Sequence, residues 1–143
     1  MGDRMITNEH YYRALNVMDK IEEIRVKKGI AGYKIGKFLG HTPSYYYTAY
    51  DNCRTIKVST LIKLAKSLDI SVEYLLSGKN KEEFKPFEFN LDIIKNTKVK
   101  YLPNRLRVIK CRIVKNKANN ISLKTLFEFE HYLKISAIKI IGG

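Results

Sequence analysis

The chain has 143 residues, 45% of them hydrophobic and 29% charged, with a formal charge of +13; that balance excludes a disordered chain and leaves room for one ordinary domain or two small ones. No run reaches the roughly 18 apolar residues of a membrane span, and the start "MGDRMITNEHYY" lacks the apolar block of a secretory signal, so a cytoplasmic location is expected. The cysteines, Cys53 and Cys111, have no ligand spacing around them, which points to reduced thiols and to no metal or cofactor.

In chain order, Asp19 with Glu22 reads as a capping box for "KIEEIRVKK", which Gly29 ends, although "EHYYRALNVM" is also helix-compatible and can lengthen that helix backwards. A short helix follows over "YKIGKFL" and stops at Gly40. Thr42 can cap the next, with Pro43 at its first position, where a missing N–H costs nothing. Ser59 is read as the cap of "TLIKLAKSL", whose Leu61, Leu64, Ala65 and Leu68 form one apolar stripe, and Ser71 as the cap of "VEYLLS", ended by Gly78. Residues 79–90, charged and containing Pro86, read as a linker between a domain at 1–78 and a second at 91–143. Alternating strand patterns are scarce and apolar residues recur at three- and four-residue steps, so the fold class is all-α.

The run Tyr45, Tyr46, Tyr47 lies on the helix starting at Pro43. Successive residues there turn by about 100°, so the three rings point in different directions. Tyr46, Ala49 and Tyr50 form an inward stripe. Ser44, Tyr47, Thr48 and Asp51 form an outward one, and Tyr45 lies between.

From Gly32 to Asp51, "GYKIGKFLGHTPSYYYTAYD" resembles, without a gap, the helix-turn-helix of the lambda repressor and Cro family, the XRE-type regulators. The match rests on Ile35, the small Gly36 at the helix crossing, Leu39, the turn glycine Gly40, Tyr46 and Ala49. Downstream, "VSTLIKLAKSLDISVEYLLSG" looks like the family's fourth and fifth helices, so the resemblance covers about residues 19–78. It departs at Ala31 and Gly32, where the family carries a Ser or Thr cap and a Gln, and at His41, which is normally aliphatic. The resemblance implies a five-helix DNA-binding domain, with helix 43–51 in a major groove and Ser44, Tyr47 and Thr48 reading bases. Thr42, Tyr45, Asn52, Arg54 and Lys57, with Lys34 and Lys37, would hold phosphates. It also implies a homodimer on a double-stranded pseudo-palindrome.

Shifted by 65 residues, "TLIKLAKSLDISVEYLLSG" overlies "TLFEFEHYLKISAIKIIGG" (125–143), and Ser122 falls where Lys57 does. The second half is therefore read as a smaller helical domain, a degenerate partial copy. Upstream the match fails, with Tyr101 and Arg105 at the small-residue and turn-glycine places. Residues 79–143 carry the larger excess of positive charge, +9 against +4 for 1–78. Pro103 can start a helix whose Leu106, Ile109 and Ile113 form an apolar stripe, and residues 100–117 contain seven basic residues and no acid. Arg105, Arg107, Lys110, Arg112 and Lys115 make either a second DNA-contacting surface or a solvated face on a packing helix, with dimerisation as the other role for this half.

The function expected is that of a sequence-specific, double-stranded DNA-binding transcriptional regulator of repressor type. The alternative is a protein-interaction module, such as an antitoxin or a non-DNA-binding adaptor. His10, His41 and His131 stand without a nucleophile motif or phosphate-cradling glycine loop, so no enzyme is expected, and no membrane partner or small-molecule ligand.

Overall fold

The computed structural model describes residues 2–51 and 56–143, with side chains from Glu9 onward. Among the described residues the regular structure is helical: α1 (Gly2–Lys27), α2 (Gly32–Phe38), α3 (Tyr45–Asp51), α4 (Val58–Leu68), α5 (Val72–Ser77), α6 (Asp92–Asn96), α7 (Asn104–Val114), α8 (Leu123–Leu133) and α9 (Ala137–Ile140). These form two helical clusters, α1–α5 and α6–α9, whose buried side chains belong to one core. No described helix is long and apolar enough to cross a membrane.

Helix α1 takes the longer of the two extents open to it and begins further back still. It runs 26 residues, about 39 Å at 1.5 Å per residue, and Asp19 lies within it rather than capping it. The extension is stabilised by burial far along the chain: Ala14, Val17 and Met18 are sealed from solvent, and α1 packs on α8 as well as on α4 and α5. Asp19 instead accepts a hydrogen bond from the Tyr50 hydroxyl. Gly29, at φ +68°, ends the helix, and Ile30 N–H reaches back to the Arg25 carbonyl at 3.1 Å, the six-to-one bond of a glycine-terminated helix.

One buried group on α1 makes the fold sensitive to acid. His10 is 2% exposed, and neither ring nitrogen has a hydrogen-bond partner among the described residues. Its ring lies 5.9 Å from that of His131. Burial holds its pKa below the usual 6.5, reinforced by His131 and Arg13 and opposed by Glu128 and Glu9. A histidine with a depressed folded pKa binds more protons when unfolded, so stability is complete above about pH 6.5 and falls as pH drops through and below that value. Urea midpoints between pH 8 and pH 5 should decline for the wild type and decline less for His10→Phe; parallel curves would exclude His10 as the source.

Helix α4 begins at Val58, with Lys57 rather than Ser59 at its N-cap. The chain is held extended up to that point by an antiparallel bridge between Lys57 and Ser122. Val58 N–H donates to the Ile121 carbonyl at 2.9 Å and Leu123 N–H to the Ile56 carbonyl at 2.8 Å. Ser59, one residue too late to cap, takes a 2.6 Å hydrogen bond from the Asn120 amide instead. The caps expected at Ser71 and Gly78 are present: Ser71 Oγ accepts from Tyr74 N–H at 3.2 Å, and Gly78 has φ +77°.

Residues 79–90 have no helix or strand, yet they are pinned to the core. Ser71 N–H donates to the Glu82 carbonyl at 3.0 Å and Asn90 N–H to the Ile141 carbonyl at 3.1 Å, while Phe84, Phe87 and Phe89 pack against the buried cluster. Beyond them Pro103 precedes α7, which buries Leu106 and Ile113, and Ser122 caps α8 by accepting from Thr125 N–H at 3.2 Å.

Candidate nucleic-acid interface

Helices α2 and α3 meet through a turn whose geometry depends on two glycines. Gly40 adopts φ +77°, a conformation that costs a residue with a Cβ, and His41 N–H closes back on the Gly36 carbonyl at 2.9 Å. A methyl group on Gly36 would lie 2.3 Å from the Thr42 carbonyl oxygen, closer than packed atoms allow. The turn backbone therefore rests directly on α2. The Thr42 carbonyl accepts from Tyr45 N–H at 3.0 Å, so residues 42–45 form a turn and the helix starts at Tyr45, two residues later than Pro43.

The outward and inward stripes of α3 lie where its period requires. Tyr46 is 1% exposed, with Ala49 and Tyr50 packed half-buried beside it. Ser44, Tyr47, Thr48 and Asp51 are all exposed and Tyr45 is intermediate. The Tyr46 hydroxyl donates to Glu22 on α1, which is also paired with Arg25, and the Arg25 guanidinium lies 5.4 Å from the centre of the Tyr46 ring. Arg25 in turn donates to the Ile30 carbonyl at 2.7 Å. This polar chain fixes the orientation of α3 from below. The Arg25 pairing holds the Glu22 carboxyl below its ordinary range, and burial drives the Tyr46 hydroxyl well above its own.

Each side chain on the outer face has a definite setting. Ser44 Oγ lies 3.3 Å from Thr42 Oγ1, and Thr48 Oγ1 donates to the Ser44 carbonyl at 3.3 Å, so the two hydroxyls sit one turn apart along one edge. The Tyr45 ring stacks on His41, with centroids 4.0 Å apart and planes 12° from parallel. His41 is itself exposed. Tyr47 leans back over the start of α2, close enough that a Cβ at Gly32 would lie 2.6 Å from its ring and hydroxyl, yet 51% of it remains exposed. Lys34 and Lys37 are exposed on α2 and Lys57 at the foot of α4; Asn52 and Arg54 lie outside the described residues.

The basic helix of the second half divides into two groups. Arg105 pairs with Glu128, whose side chain is buried, and Lys110 donates to the Thr97 carbonyl at 2.6 Å, so these two serve the fold. Arg107, Arg112 and Lys115 are exposed. Arg112 shares a groove of about 230 Å³ with Lys57, Asn120 and Ser122. That juxtaposition was missed in the sequence, although the coincidence of Ser122 with Lys57 at a shift of 65 was its visible trace.

No family model, curated protein or solved structure matches this chain. The chemistry open to the surface follows from its residues. Exposed hydroxyls and a tyrosine edge on a short helix can exchange hydrogen bonds with base edges, the tyrosine ring or threonine methyl can pack on a thymine methyl, and the flanking lysines can neutralise phosphates. Tyr33 and Phe38, 49% and 60% exposed on α2, add apolar surface that the sequence did not single out. As residues 2 and 7 of α2, they carry no periodic signal of burial or exposure.

Proposed function

We propose that the chain binds double-stranded DNA sequence-specifically, as a non-enzymatic transcriptional regulator of repressor type, with α2 and α3 acting as a helix-turn-helix and α3 entering the major groove. The observation that carries this reading is the division of the segment 44–51: Tyr46 is anchored beneath α3 while Ser44, in the turn before it, and Tyr47 and Thr48, on its outer face, are exposed. In this role Ser44, Tyr47 and Thr48 read bases, and Thr42, Tyr45, Lys34, Lys37 and Lys57 hold the backbone. None of the readers offers the bidentate grip of an arginine on guanine, so discrimination per contact is modest.

Selection of bound sequences from random duplexes tests the reading. Tyr47→Ala and Thr48→Ala should each change the preferred sequence, at about 1–3 kcal/mol per lost base contact; an identical preference in both variants would remove them as readers. If about eight phosphates are neutralised, log affinity should fall against log salt with a slope near roughly −7. The exposed Tyr33 and Phe38 favour a second reading, a protein-interaction module of antitoxin or adaptor kind. A nearly flat salt response with a polyanion would be its signature.

A further inference from the structure

We propose that one chain is an internal pseudo-dimer that occupies a two-part duplex site as a monomer, with α3 on one part and the exposed basic face of α7 on the other. This rests on the duplex-binding reading above and assigns its stoichiometry and its second contact surface.

The bridge between Lys57 and Ser122 carries the inference. Its hydrogen bonds, Val58 to Ile121 and Leu123 to Ile56, are exchanged by a shift of 65 residues: 58 becomes 123 and 56 becomes 121. Reciprocal bonding of that kind defines a local two-fold axis through the midpoint of the pair. The same shift carries α4 (Val58–Leu68) onto α8 (Leu123–Leu133), both 11 residues long. It carries the left-handed Asp69, φ 51°, onto Lys134, φ 58°, and the N-cap Ser71 onto the N-cap Ser136. Buried positions correspond as well: Ile56 with Ile121, Leu61 with Leu126, Leu64 with Phe129, Leu75 with Ile140. Across the axis α4 packs on α8 and α5 on α9. The pairing that the family resemblance leads one to expect between two chains is thus made within one.

A two-fold axis keeps equivalent points at equal height along itself. The feet of α4 and α8 are equivalent in this way; α7 is not the copy of α3, because the same shift sets buried Tyr46 on exposed Cys111 and exposed Thr48 on buried Ile113, so its basic residues are tied to this surface by contact and not by symmetry. The shared groove of Lys57 and Arg112 joins the two surfaces. The halves are unequal: the α7–α8 connection is two residues longer than that between α3 and α4, and α7 offers Arg107 and Arg112, with Lys115 just past its end, where α3 offers hydroxyls. Long cations hold phosphates without reading bases. The site should then be asymmetric, with an informative part under α3 and a flanking part in which duplex is required but sequence is not.

Sedimentation of the full chain, free and on its selected duplex, together with salt titrations of the triple variant Arg107→Gln, Arg112→Gln, Lys115→Gln, tests the proposal. One chain free, one chain per duplex, a non-palindromic selected site, and a slope flattened by about 0.9 for each lost phosphate contact with the preferred sequence unchanged would bear it out. A dimeric free chain, two chains on an inverted repeat, or an unchanged slope in a variant whose circular dichroism and melting match the wild type would overturn it while leaving α3 as the reader. Failure of the wild type itself to select any duplex would remove the DNA-binding reading and this proposal together, and is recognised because it appears before any variant is made.

Discussion

Tyr46→Ala should lower stability by about 3–5 kcal/mol, the cost of emptying a large buried aromatic site, and abolish with it the duplex binding proposed above. The ring is 1% exposed and separates α3 from α1, while its hydroxyl is one of two groups that satisfy Glu22. Removing the side chain takes away the wedge that sets the angle of α3, leaving the backbone of the turn pressed on Gly36 with nothing to hold the far end. Tyr46→Phe separates the two contributions. The core stays filled, Arg25 still serves Glu22, and that carboxylate is partly solvated, so a loss near about 1 kcal/mol is expected. Chemical denaturation gives both values. A loss from Tyr46→Ala no larger than that from Tyr46→Phe would mean that α3 is not anchored as described.

The second large effect lies on the opposite side of the core. Phe127 is fully buried in the seam between α8 and α1, with the Arg13 guanidinium 4.0 Å above its ring centre. Arg13 also pairs with Glu130, whose other oxygen accepts from Ala137 N–H at 2.7 Å, so the seam ties α1, α8 and the start of α9 into one unit. Phe127→Ala should cost about 3–5 kcal/mol, and Phe127→Leu, which retains most of the volume, under about 1.5 kcal/mol. If the helical clusters depend on this seam, both unfold in one transition in the wild type and separate in Phe127→Ala. Hydrogen exchange resolved by residue would show amides of α7 and α8 losing protection before those of α4; equal loss in the two clusters would argue against the seam as their link.

The parts of the fold visible in the sequence are those governed by local periodicity. Leu61, Leu64, Ala65 and Leu68 are the buried stripe of α4, Ser71 caps α5, and the burial of Tyr46 with exposure of Ser44, Tyr47 and Thr48 follows from the helical turn alone. The parts that were not visible depend on partners distant in the chain. The run before Asp19 is helix-compatible, but its seating against α8 depends on His10 and Arg13 meeting His131 and Phe127, more than a hundred residues later. Ser59 loses its capping role because residues 56–58 are held extended by 121–123. The segment 79–90 reads as a linker from its charge and proline, whereas Phe84, Phe87 and Phe89 use it as a strap; three aromatics at unequal spacing give no periodic signal. On α3 the direction of each residue could be read, but not the stacking of His41 on Tyr45 or the backward lean of Tyr47, since both depend on space left by the neighbouring helix.

That lean ties two positions together across fifteen residues. Tyr47 lies where a side chain at Gly32 would stand, its ring end and hydroxyl 2.6 Å from that Cβ, so the ring must swing aside for anything larger than hydrogen. A side chain at 32 therefore displaces the ring at 47, and a ring at 47 lies back over α2 only while 32 stays bare. The two places share one space, so what stands at 32 sets how far a ring at 47 projects from the outer face of α3.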